Sequence, residues 1–394
     1  MPSTSFDFDK IIDRRGTQAV KYELIPALFK KDDVIPLWVA DMDFETPAFI
    51  RHALEARLAH PIYGYTVAPE SYWQSIMDWQ YKRHGWAIQK EWLTYIPGIV
   101  KGIGLVELCF TQPGDTVVIQ PPVYHPFRLV TEHNGRHIVN NPLRWDGAQY
   151  QMDFDHLEQL LSSQPCKLFI LSNPHNPGGQ VWDKPTLARL AALCHAHGTL
   201  VISDEIHADM ALPPYKHTPF ATASAQAAEI SITFGAPTKT FNIAGLVSSF
   251  AIVPDSRLRS KFYGFLEANE LNATTFMATI ATEVAFTQGE PWREAMLRYV
   301  QGNVDYICQT LPQCVPGIKV IPPQASFLVW LDCRSLRDYG VSDIPQYFIN
   351  AGIGMNDGAQ FGPGGEGFMR MNVGCPRATL EAAVERLYRF GKRP

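Results

Sequence analysis

Residues 167–179 read K-L-F-I-L-S-N-P-H-N-P-G-G, a short apolar run that breaks into Asn, Pro and Gly. The run is too short for a helix and is closed by turn formers, so it reads as a buried strand ending in a polar loop. Two more segments have the same form. T-L-V-I-S at Thr199–Ser203 enters Asp204-Glu205-Ile206-His207, and E-I-S-I-T-F at Glu229–Phe234 enters G-A-P-T-K-T-F-N at 235–242. Helical patterns between them, such as Lys184–His197, indicate parallel strands joined by crossover helices. Ligands of open α/β sheets sit outside the carboxyl ends of the strands. Asn176, Asp204 and Lys239 are therefore expected to converge on one crevice.

Taken singly, each signal has an ordinary explanation. Asn-Pro-Gly clusters are turn chemistry, an aspartate at a strand end is often a helix cap, and a lysine is usually a solvated charge. Lys239, however, lies between Pro237 and the apolar stretch F-N-I-A-G-L. A lysine held in apolar surroundings loses basicity and becomes available for Schiff-base chemistry. A lysine for a Schiff base and an acid for a ring nitrogen are what pyridoxal phosphate requires.

Further stretches carry a resemblance over essentially the whole chain. They are F-D-K-I-I-D-R-R-G-T at 8–17, P-L-W-V-A-D-M-D-F at 36–44, Y-G-Y-T at 63–66, Q-P-P-V-Y-H-P-F at 120–127 and M-R-M-N-V-G-C-P-R at 369–377. With the three strand-end motifs, the chain resembles a fold-type I pyridoxal-phosphate enzyme of the aminotransferase class I/II superfamily. More narrowly, it is similar to the cystathionine β-lyase / cysteine-S-conjugate β-lyase branch. The implied fold is α/β: a three-layer α/β/α transferase fold with a mostly parallel central sheet and a smaller α+β C-terminal domain.

The resemblance also implies roles. Lys239 forms the Schiff base and then acts as general base, Asp204 pairs with the ring nitrogen, and Asn176 hydrogen-bonds the ring oxygen. Tyr124 stacks on the ring and can protonate the leaving group. His207 stands where many aminotransferases place a tyrosine. The phosphate falls to the amides of Ile99 and Val100 at a helix start, to the Thr238 hydroxyl, and to Tyr65 of a neighbouring subunit, which implies a homodimer with a shared active site. Arg370 binds the substrate carboxylate, Asn176 assists, and Trp38, Val39 and Ala40 line the side-chain pocket. Arg377 reads as structural. One departure matters: Val247 stands eight positions after the lysine, where many aminotransferases carry a phosphate-binding arginine, and Ala236 replaces a serine three before it. The missing cation favours the lyase reading over an aminotransferase. A cofactor-containing regulatory protein is the third alternative.

Composition agrees. The chain has 394 residues, 46% hydrophobic and 19% charged, with a formal net charge of −5. That is an ordinary globular balance without a basic footprint for nucleic acid. No stretch approaches the roughly 18 unbroken apolar residues of a membrane span, and the N-terminus has no signal-peptide pattern, so a cytoplasmic enzyme is expected. Seven irregularly spaced cysteines with no C-x-x-C indicate no metal site. His195 and His197, two apart on a helix, face different ways. The expected divisions are an arm at 1–45, a large cofactor-binding domain at 46–288, and a small domain at 289–394. The last opens with a helix over 292–311 and ends in the amphipathic T-L-E-A-A-V-E-R-L-Y-R-F. The resemblance implies a small sulfur amino acid as substrate.

Overall fold

A computed structural model of the chain describes residues 6–391. In chain order the strands are β1 (Ile35–Pro36), β2 (Leu93–Ile96), β3 (Thr116–Ile119), β4 (His137–Asn140), β5 (Arg144–Trp145), β6 (Tyr150–Gln151), β7 (Cys166–Ser172), β8 (Leu200–Asp204), β9 (Ser231–Gly235), β10 (Ser249–Ile252), β11 (Lys319–Ile321), β12 (Leu328–Asp332), β13 (Ile353–Gly354), β14 (Asn356–Asp357) and β15 (Phe368–Asn372). Seven of them make the central sheet, in the order β2-β10-β9-β8-β7-β3-β4. Only β10 runs against its neighbours. The sheet is thus mostly parallel with helices around it, as expected. β8 and β9 lie nearly wholly within the protein, which explains their continuous apolar reading.

The register brings the polar strand ends together. Ser172 pairs with Asp204, and Asp204 with Phe234. The antiparallel β10 begins at the same rim, with Ser249 opposite Ile96 at the end of β2. Local chemistry fixes the crossover helices. Asp183 accepts a hydrogen bond from the Thr186 amide and starts the helix Lys184–Ala196, with Pro185 in its first turn. Gly98, at φ +113°, turns the chain from β2 into the helix Ile99–Phe110, a backbone angle that favours glycine.

The second sheet is antiparallel, in the order β11-β12-β15-β14. In it β11 covers Lys319–Ile321, and β12 starts at Leu328, just after Ser326 with its positive φ of 79°. The helix expected at 292–311 runs over Glu290–Cys314 and tolerates Pro312 only in its last turn. The final helix, Arg377–Gly391, buries Leu380, Ala383, Val384 and Leu387 at the spacing of one face. The arm joins this part through β1, which pairs in parallel with β13. One apolar cluster, from Phe8 and Phe44 through Trp79 and Trp292 to Met371, binds arm, first helices and C-terminal part into a common core. On the β1–β13 pairing and the sheet boundaries we propose division at residues 45 and 288.

Gly289 links the helices Phe276–Gln288 and Glu290–Cys314, and a Cβ there would run into the Ala285 carbonyl oxygen and the Phe241 ring. Gly289→Ala is expected to destabilise the protein by about 3 kcal/mol, at the upper end of ordinary overpacking, and to lower the midpoint of thermal unfolding measured by calorimetry.

Candidate active site

At the carboxyl rim lies a cavity of about 190 Å³ lined by Ala40, Gly98, Ile99, Val100, Tyr124, Ser172, Asn176, Asp204, Ile206, His207, Thr238, Lys239, Ala244, Val247 and Ser249. Nine of the residues singled out from the sequence are therefore in one place: Ala40, Ile99, Val100, Tyr124, Asn176, Asp204, His207, Thr238 and Lys239. Ser172 and Ala244 lie within stretches quoted above without a role of their own there, and Ser249 carries no local signal at all. Ser249 comes from the strand that runs backwards, and nothing local marks which end of such a strand reaches the rim.

Asp204 closes β8. Its carboxylate accepts one hydrogen bond from protein, from the Ile206 amide at 3.1 Å. Burial pushes the carboxyl up to about 7, against the lowering effects of that amide and of Lys239. Lys239 follows β9 in a tight turn, where the Phe241 amide bonds the Pro237 carbonyl at 2.9 Å. Its Nζ donates to the Ala40 carbonyl at 2.6 Å. Burial, reinforced by Arg370, lowers the amine to about 8 although Asp41 and Asp204 act the other way.

Arg370 is buried in β15 without an acidic partner. It donates to Asn176 Oδ1 at 2.9 Å, Asn356 Oδ1 at 2.8 Å and the Trp38 carbonyl at 3.1 Å, and its Nε has no acceptor. Burial lowers even this guanidinium to about 10. Because a guanidinium only donates, it orients the Asn176 amide: the oxygen faces Arg370, leaving the NH₂ for the cavity. His207 is buried, lacks a partner at Nδ1, and is pushed down to about 3 by burial with Lys239 and Arg370 adding to the effect. It is neutral at working pH. Burial raises the Tyr124 phenol, which therefore keeps its proton.

Four expected residues are not among the cavity's lining: Trp38, Val39, Tyr65 and Arg370, the last of which is joined to it through its bond to Asn176. Val39 does not line the cavity: its carbonyl is taken by Asn372 Nδ2 at 2.5 Å, and Ala40 alone of the pair reaches the cavity. Tyr65 is fully exposed and does not line this subunit's cavity. Arg377 sits on the C-terminal helix, where it bonds Asn303 Oδ1 at 2.9 Å and covers the Tyr306 ring. Val247, at φ +52°, lines the cavity where a cation was missed, and its carbonyl accepts from the Tyr95 hydroxyl at 3.2 Å.

The arm is locked over the cavity. Asn372 Nδ2 also donates to the Asp41 carbonyl at 2.7 Å, and Asn242 Nδ2 to those of Met42 and Phe44 at 2.9 and 2.8 Å. Arg14 bridges Asp41 and Asp43, while the fully buried Lys21 ends 2.6 Å from Asp43. Asn242 and Asn372 stand within motifs quoted above, yet nothing in the residues marks them, because their use of backbone acceptors is a tertiary matter.

Residues 32–387 match the family described as aminotransferase class I and II. The chain belongs to that family. Among relatives, it is 44% identical over 384 residues to "Cystathionine beta-lyase PatB" of Bacillus subtilis, covering 97% of this chain and 98% of that protein. It is 32% identical to "Protein MalY" of Escherichia coli over 96% and 97% of the two chains. A solved structure of the pyridoxal-phosphate-bound C–S lyase from Staphylococcus hominis superposes with a TM-score of 0.92 at 31% identity, covering 99% of both chains. Pyridoxal 5'-phosphate is the cofactor of this class I and II member, and the donor set is complementary to it. The cavity offers an acid with an unsatisfied carboxylate, a lysine amine, a free amide NH₂, and a helix start whose first amides lack partners within the helix.

In cofactor-free protein, Lys239 is expected to combine with added pyridoxal phosphate only as the neutral amine. The association rate should climb as pH rises through about 8 and level off above it. A stopped-flow rate still climbing in the range of an ordinary lysine would contradict the lowered value.

Proposed function

We propose that this protein is a pyridoxal-phosphate-dependent carbon–sulfur β-lyase acting on cystathionine or a related L-cysteine S-conjugate, releasing a thiol, pyruvate and ammonia. The observation that carries this reading is the meeting of Lys239, Asp204 and Asn176 at one cavity, with Arg370 bonded to Asn176, in a chain so similar along its whole length to a protein named cystathionine β-lyase.

Bound pyridoxal phosphate supplies an electron sink for charge developing at the substrate Cα. Asp204, a carboxylate with one protein donor, holds the proton on the ring nitrogen. The Asn176 NH₂ donates to the ring oxygen. Tyr124 covers the ring face. The amides of Ile99 and Val100 and the Thr238 hydroxyl hold the phosphate, with Val247 adding no charge. Arg370 takes the substrate carboxylate in bidentate fashion, its present neutral acceptors being weaker partners than an anion. Lys239, as a free amine, would remove the substrate's Cα proton. The departing thiolate at Cβ takes a proton from Tyr124, whose phenol is protonated at working pH. The three-carbon product then hydrolyses to pyruvate and ammonia.

We further assign the phosphate contact of Tyr65 to a homodimer, in which Tyr65 of the partner subunit completes the site. Support comes from the exposure of Ile62, Tyr63, Tyr65 and Val67 on one loop, an apolar stretch unusual on a free surface. No helix among the described residues is long and apolar enough to cross a membrane. The seven cysteines are all free, which fits a reducing cytoplasmic setting.

Purified holoenzyme given L-cystathionine is expected to form pyruvate, ammonia and homocysteine with no keto acid added. Glutamate formation from L-alanine and 2-oxoglutarate, with no thiol released from cystathionine, would make it an aminotransferase instead. Lys239→Ala should abolish turnover. Arg370→Lys, which loses the bidentate fork, should raise KM by about tenfold or more. Lys239→Ala and Tyr65→Phe subunits, dissociated and reassociated together, should regain activity in the mixed dimers; failure to regain any would remove Tyr65 from a shared site.

A further inference from the structure

Behind Asp204, on the side away from the cavity, lies a second buried carboxylate that the chemistry above does not use. Glu205 accepts at Oε1 from the Ser203 hydroxyl and the Phe220 amide, both at 2.8 Å, and from Asn173 Nδ2 at 3.4 Å. Its Oε2 lies 2.8 Å from Nε2 of His217, whose side chain is wholly buried and whose Nδ1 has no partner. Asn173 closes the arrangement, for its amide nitrogen donates to the Asp204 carbonyl at 2.9 Å and its side chain to the Thr218 carbonyl at 3.0 Å. Glu205 thus anchors the segment 217–220 from two sides while its own backbone amide is bonded to the Phe234 carbonyl at 2.9 Å.

The surroundings continue the network. The His217 ring meets the edge of His84 with centroids 5.1 Å apart. His84 Nε2 lies 3.0 Å from Asp209 Oδ1, which also accepts from Trp79 Nε1 at 2.9 Å. The Asp209 carbonyl accepts from Arg293 Nε at 2.6 Å, and Arg293 bonds Glu290 at 3.1 Å. The groups facing the Glu205–His217 pair are therefore His84, with Asp209 beyond it, and Asp204 next in the chain.

We infer that Glu205 and His217 are positioning residues for Asp204, holding the end of β8 so that the carboxylate beside them stays aimed at the ring nitrogen. This rests on the role proposed above for Asp204. A loop anchor would need only hydrogen bonds at Oε1. A buried anion and an imidazole next to the ring-binding acid add a fixed charge distribution where the ring nitrogen is held protonated. In keeping with this, Glu205 acts with burial to raise Asp204, which makes Asp204 a stronger acceptor for that proton. Breaking a buried pair of this kind leaves its remaining member without compensation.

The test uses holoenzyme loaded with pyridoxal phosphate ¹⁵N-labelled at the ring, whose chemical shift reports protonation of that nitrogen without any turnover. In wild type the ring nitrogen should be protonated. Glu205→Gln keeps an oxygen for Ser203 and Phe220 and so should fold; its shift should move toward the neutral position, with kcat lower by about tenfold and KM nearly unchanged. His217→Ala should do the same, and His217→Gln, which retains a donor for Oε2, should restore the wild-type signal in large part. A wild-type shift and kcat in both Glu205→Gln and His217→Ala, with only thermal stability reduced, would overturn the inference and leave a loop anchor. Asp204→Asn, measured in parallel, separates the two readings: a wild-type signal there would refute the role of Asp204 itself.

Discussion

Burial of charge without a full set of protein partners is the constraint on which this site depends. Asp204 lies in the interior with one backbone donor for its carboxylate, and Arg370 lies in the interior with only neutral acceptors. Ions so placed are costly in a protein interior. On the roles proposed above, each would be offset when a ligand of opposite charge arrives, a protonated ring nitrogen at Asp204 and a carboxylate at Arg370. The free energy that a better-paired interior would have put into stability is thus available for binding, and Lys239 between them is kept less basic by the same burial.

Such a site must be held rigidly, and the arm does this. Segment 39–44 touches both halves of the machinery. The Ala40 carbonyl receives the Lys239 amine, Asn242 ties Met42 and Phe44 to the lysine turn, and Asn372 ties Val39 and Asp41 to the strand that carries Arg370. Lysine and arginine come from different sheets, and the arm fixes their separation. Here the ion pairs are complete: Lys21 and Arg14 balance Asp41 and Asp43. Charge that only holds structure is paired, while charge that meets ligand is left open.

The end of the cavity proposed for the phosphate follows another rule. Val247 brings no charge to the cavity, whose wall also includes the start of the helix Ile99–Phe110. Backbone amides at a helix N-terminus bind an anion with little need for side-chain charge. The sheet order explains why this helix and the lysine turn meet: β2 and β9 flank β10, so the chain leaving β2 emerges two strands from Lys239.

Much of this was legible in the residues alone. Strands ending at Ser172, Asp204 and Phe234 could be read because buried parallel strands are apolar throughout and turn formers mark their ends, and the order of Asn176, Asp204 and Lys239 then implied one crevice. The amphipathic C-terminal helix followed from the spacing of Leu380, Ala383, Val384 and Leu387. Contacts made by backbone groups were not legible, since every residue carries the same carbonyl and amide. That Ala40 rather than Val39 reaches the cavity, that Ser249 joins it from a reversed strand, and that Glu205 turns away from Asp204 toward His217 depend on which groups long-range packing brings within 3 Å or so of one another. The sequence by itself determined the chemistry available and the order of the strand ends that present it. Only the tertiary structure decided which charges remain unpaired, because pairing is settled by distance between segments far apart in the chain, 332 residues in the case of Arg370 and the Trp38 carbonyl.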